Sequence, residues 1–125
     1  DPMRVKAAEA ADIAVMKVQP LGGVHACLRL AEALDMPVVV SSAIETSVGL
    51  AAGVALAAAL PELPYACGLG TVSLLAGDVT RDPLVADDGA IRLRDVVADE
   101  GLVAVLASPG TRSVGSRRTC TPKGA

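Results

Sequence analysis

Lys17 ends the apolar run Ile13-Ala14-Val15-Met16, and a lysine so placed is open to two uses. Burial among apolar neighbours would tune it for work as a base, whereas a side chain that snorkels outward is an ordinary surface cation. Further on, Val38-Val39-Val40 stops abruptly at Ser41 and Ser42, and Glu45, Thr46 and Ser47 follow before the apolar run Val48 to Leu60. Hydroxyls, amides and a carboxylate gathered between a strand end and a helix start stand where α/β proteins bind ligands, and helix amino termini favour anions. Capping by Thr46 or Ser47 accounts for one or two of these polar residues; the segment as a whole is assigned to ligand binding. Glu45 fits equally as a ligand contact and as an acid near the positive end of the helix. Gly68-Leu69-Gly70 offers backbone amides to a carboxylate or phosphate, although a tight turn explains the same residues. His25 has no second histidine to work with and is read as solvated, while Asp78, Asp87 and Asp88 belong to turns and assemble no metal ligand set.

The elements that must carry these residues alternate. Asp1-Pro2 opens a helix expected to run to Ala10, with Asp as cap and Pro at the first helical position. Ile13 to Lys17 is expected as a buried strand, followed by a Gln19–Gly23 loop in which Gly22 and Gly23 supply positive φ or close approach. Apolar residues at Val24, Cys27, Leu28, Ala31 and Leu34 predict an amphipathic helix over 24–34. A second strand, Val38 to Ser41, leads to a helix Val48 to Leu60 closed by Pro61 and Pro64, and a short third strand is expected at Tyr65 to Cys67. Strands alternating with helices predict an α/β fold with a parallel sheet. Leu74 and Leu75 are expected to start a helical turn, Asp87-Asp88-Gly89 to turn a hairpin, and Asp99 to cap a last helix reaching Leu106. Residues 108–125 are almost without apolar side chains and are expected to be disordered.

Composition narrows the partners. A net charge of −3, with Arg117 and Arg118 the only basic pair, provides no footprint for nucleic acid or an anionic membrane. The apolar run Val48 to Leu60 falls short of the roughly 20 residues that span a bilayer. Cys27, Cys67 and Cys120 are odd in number and far apart, which argues against a disulfide framework or zinc site and for a reducing cytoplasm. With no Trp, no Phe and one Tyr, the core must be Ala, Val and Leu. The start at Asp1, directly into a helix, is read as that of a piece of a longer protein.

Taken in order, Lys17 with VQPLGG after it, then VVVSSAIETSVG, then ACGLGT, resembles the last three β/α units of an enolase-superfamily barrel of the muconate-lactonizing-like type. The similarity is strongest to the ortho-succinylbenzoate synthase family in its actinobacterial form, and it covers residues 1–107 as a partial barrel domain. The resemblance implies a modified (β/α)7β barrel, a Mg²⁺ ion held by three carboxylates on the third to fifth strands, and a second-strand lysine that removes the proton α to a substrate carboxylate. By the same resemblance Lys17 is the sixth-strand lysine that stabilises the enediolate. Ser41, Ser42 and Glu45 belong to the seventh-strand segment and Gly68, Leu69 and Gly70 to the eighth-strand loop, both lining the pocket for the succinyl end of a small carboxylate substrate. The implied reaction is a carbon–oxygen lyase step, dehydration of 2-succinyl-6-hydroxy-2,4-cyclohexadiene-1-carboxylate in menaquinone biosynthesis. The alternatives are racemisation of N-succinyl or N-acyl amino acids with the same two lysines, and a degenerate fragment without activity. This sequence departs from the family pattern in holding none of strands one to five, hence neither the second-strand lysine nor the metal ligands, and in its tail from Thr111, where the family is helical and aromatic-rich. Three strands cannot close a barrel, so the missing barrel part or self-association is expected to cover the exposed sheet.

Overall fold

The computed structural model describes residues 1–108, so the tail expected to be disordered lies, from residue 109 on, outside the described residues. Helix α1 spans Pro2–Ala7, with Asp1 Oδ1 accepting from the Met3 N–H at 3.0 Å. It stops short of the expected Ala10 because Glu9 turns left-handed at φ 49°, and the N–H groups of Glu9 and Ala10 then close on the carbonyls of Lys6 and Val5. That is a Schellman end built without glycine.

Strand β1, Ala14–Met16, and strand β2, Val38–Val40, pair in parallel with Ala14 opposite Val38 and Met16 opposite Val40. Between them Gly22 and Gly23, at φ 88° and 104°, turn the chain into helix α2, Val24–Leu34, whose predicted bounds it matches. Helix α3, Ser47–Ala59, follows β2, and α2 and α3 pack together on one face of the sheet. Ala14, Met16, Val38 and Val40 face these helices and meet Cys27, Leu34, Leu50, Val54 and Leu56 in the core. Each large aliphatic buried there contributes about 1.5–3 kcal/mol. Side chains alternate along a strand, so Val15 and Val39 point to the opposite face, where Val15 remains 62% exposed.

The expected third strand is reduced to a single parallel bridge between Ser41 and Gly68. Pro61 to Ala66 all lie exposed, and the chain reaches the sheet only where the Gly68 N–H donates to Val40 O at 2.8 Å. A 3₁₀ turn, Thr71–Leu74, stands in for the expected helical turn, and the hairpin shrinks to one antiparallel bridge, Asp87 with Ala90, across left-handed Asp88 and Gly89. Helix α4, Glu100–Ala107, is capped by Asp99 as expected.

Candidate functional site

Continuing the parallel register by one residue sets Lys17 beside Ser41, and Ser41 is bridged in turn to Gly68. The Ser41 N–H donates to Met16 O at 2.8 Å and the Ser42 N–H to Gly68 O at 3.0 Å, so three segments distant in sequence meet at the carboxyl ends of the strands. By alternation Lys17 and Ser41 share the helix-free face with Val15 and Val39, while Ser42 turns toward the helices and is only 5% exposed. Lys17 is exposed rather than buried among apolar neighbours, and among the described residues its side chain makes no hydrogen bond or ion pair.

Ser42 Oγ lies 3.1 Å from Gly68 O and 2.8 Å from Thr71 Oγ1. Ser41 Oγ stands 3.1 Å from where a Gly68 Cβ would be, so a side chain at 68 would crowd the Ser41 hydroxyl. Leu69 is buried, its Cδ2 lying 3.0 Å from the position of a Gly53 Cβ, so its side chain belongs to the core. Gly70 has open space around it, and among the described residues the N–H groups of Leu69 and Gly70 have no backbone acceptor. Glu45 precedes α3 rather than lying in its first turn, and its Oε1 accepts from the Ala43 N–H at 2.8 Å, closing the serine loop on itself.

Thr46 is the N-cap of α3 by position but makes no side-chain capping bond; Asp78 does that work, accepting from the Ser47 N–H at 3.1 Å and from the Ser47 hydroxyl. Ser47 Oγ also accepts from the Leu84 N–H at 2.7 Å, and Gln19 Nε2 donates to Gly49 O at 3.0 Å. Thr71, Asp78 and Gln19 were not singled out as parts of the site from sequence. Thr71 could have been noticed as a hydroxyl directly after the glycine loop, but nothing local marks the other two.

The family's metal does not fit on this chain alone: among the described residues no cluster of three His, Cys, Asp or Glu could hold an ion. No helix there is long and apolar enough to cross a membrane. A cavity of 540 Å³ lies at the amino end of β2 near Met36 and Leu60, and one of 490 Å³ is lined by Leu69 and Gly70 of the glycine loop together with Leu63, Ala66 and Ile91. The row places a cation and a hydroxyl side by side, with the glycine loop next to them.

The model of the family described as enolase C-terminal domain-like matches residues 2–106. The chain belongs to that family. It is 64% identical over 110 residues to o-succinylbenzoate synthase of Thermobifida fusca, covering 87% of this chain and 35% of that protein. The protein of the same name from Mycolicibacterium smegmatis is 52% identical over 112 residues, with 90% of this chain and 35% of that protein covered. The chain thus spans about a third of the length of these relatives. The fold is also similar to part of muconate lactonizing enzyme from Pseudomonas putida, with a TM-score of 0.73 at 24% identity over 82% of this chain and 31% of that one.

Proposed function

We propose that this chain supplies the last three β/α units of the barrel of an o-succinylbenzoate synthase, a carbon–oxygen lyase of menaquinone biosynthesis acting in the cytoplasm. The observation that carries the reading is the row Lys17–Ser41–Gly68 at the carboxyl ends of parallel strands, with Lys17 and Ser41 on the face that helices leave open. In a closed barrel that face is the interior. Lys17 holds its positive charge beside the carboxylate of 2-succinyl-6-hydroxy-2,4-cyclohexadiene-1-carboxylate as the α proton leaves and negative charge builds on the enediolate oxygens. The ring C–O bond then breaks, the hydroxyl takes up a proton equivalent to the one removed from the α carbon and leaves as water, and 2-succinylbenzoate remains. Ser41 and the free amides of Leu69 and Gly70 receive the succinyl carboxylate; Ser42 and Glu45 shape those groups from behind. The proton-abstracting base and the carboxylates for Mg²⁺ come from residues outside this chain.

The test is a chimera in which residues 1–107 replace the matching third of the Thermobifida fusca relative. Formation of 2-succinylbenzoate at a rate close to that of the parent supports the reading. A folded chimera that forms none, or that only racemises N-succinyl amino acids, overturns it.

A further inference from the structure

We infer that Thr71 is a positioning residue that orients the Leu69 N–H for the substrate carboxylate, acting through Ser42; this rests on the reading just given. A serine hydroxyl has one proton. Ser42 Oγ gives it to Gly68 O at 3.1 Å, so the contact of 2.8 Å to Thr71 Oγ1 requires Thr71 to be the donor. The chain of donation therefore runs one way, from Thr71 to Ser42 to the Gly68 carbonyl. That carbonyl also accepts the Ser42 N–H at 3.0 Å, so Ser42 holds it with both backbone and side chain. The peptide between Gly68 and Leu69 is planar, and a carbonyl pulled toward Ser42 directs the N–H of Leu69 the opposite way. That N–H has no backbone acceptor among the described residues, and the Leu69 side chain is locked in the core, so little else sets the tilt of the plane. Ser42, only 5% exposed and with its proton already committed, serves the substrate through this peptide rather than by direct contact.

Thr71→Val keeps the shape and removes the donor, whereas Thr71→Ser keeps the donor. In the chimera, Thr71→Val is expected to raise KM about tenfold with kcat within about twofold, the size of one lost hydrogen bond, and Thr71→Ser to restore KM. Ser42→Ala should raise KM similarly, and the Ser42→Ala/Thr71→Val pair should do no more than either alone, since both cut one chain. Amide exchange of Ser42 and Gly68 in the full 125-residue chain should quicken in Thr71→Val and not in Thr71→Ser. Unchanged KM in Thr71→Val, or effects of the two substitutions that simply add, overturns the inference. An inactive parent chimera overturns the lyase reading instead, and the exchange rates then decide whether Thr71 holds this peptide.

Discussion

Asp78 caps helix α3 from 31 residues further along the chain, its carboxylate accepting the Ser47 N–H at 3.1 Å. Ser47 is fully buried, and its hydroxyl is bonded to Asp78 while accepting from the Leu84 N–H, so one serine ties the helix start to both ends of the 78–84 segment. An anion at the positive end of the helix is favourable in its own right. The serine loop of the candidate site lies immediately before this joint.

Ser47→Ala leaves the Leu84 amide without its acceptor, while Asp78 keeps the backbone N–H groups of residues 47 and 79, and should cost about 1–3 kcal/mol, more than the roughly 0.5–2 kcal/mol expected for loss of the cap in Asp78→Ala. Urea midpoints of the two variants in the chimera check the order. Equal, negligible shifts would show that the joint carries no stability.

Asp99 sets a pH dependence at α4. Its carboxylate accepts the Leu102 N–H at 3.0 Å and the Arg81 Nε–H at 2.6 Å, which together hold its pKa below the ordinary 3.8. A depressed carboxylate stabilises fully above the ordinary value and loses that stabilisation as pH falls through the folded one. Amide protection at Leu102 should therefore weaken in acid below about pH 4, and Asp99→Asn, which cannot ionise, should remove that dependence. The same acid loss of protection in Asp99→Asn would assign it to another group.

The cysteines should separate by reactivity. Burial pushes the Cys27 thiol up and closes it to solvent, while Cys67 is partly exposed. Iodoacetamide should label Cys67 in the native chain and Cys27 only after unfolding, as peptide mass mapping would record. Prompt labelling of Cys27 would mean that α2 is not seated on the sheet as described.

Val15 predicts how the chain behaves by itself. It stands 62% exposed on a helix-free face of a two-stranded sheet, a surface that invites pairing. Sedimentation of the isolated chain should show self-association that Val15→Lys reduces. A monodisperse monomer that unfolds cooperatively would contradict the assignment to part of a barrel.

What the sequence disclosed follows the reach of each interaction. Helix α2 was legible because apolar spacing and the Gly22-Gly23 turn are local, and both strands were legible as apolar runs ended by Lys17 and by Ser41. The third strand was misplaced because Tyr65 to Cys67 has strand-like residues, yet pairing waits for Gly68, which comes close to Ser41. Helix α1 ends at Ala7 although Ala8 and Ala10 favour helix, since left-handed Glu9 turns the chain there, and propensity yields to such context. Asp78 was read only as a turn residue and Thr71 only as the end of the glycine loop, because the partners that give them their roles lie 31 and 29 residues away, beyond any periodicity.

Lys17→Ala in the chimera tests the central claim, that this chain gives the barrel its enediolate-stabilising cation. An ammonium about 4 Å from a developing oxyanion contributes on the order of 4 kcal/mol at an effective dielectric of about 20, and it does so mainly in the transition state. Steady-state kinetics should show kcat lower by about two orders of magnitude or more with KM within about twofold. An unchanged kcat in a variant that folds as its parent does would leave Lys17 a surface residue at a strand end and contradict the account.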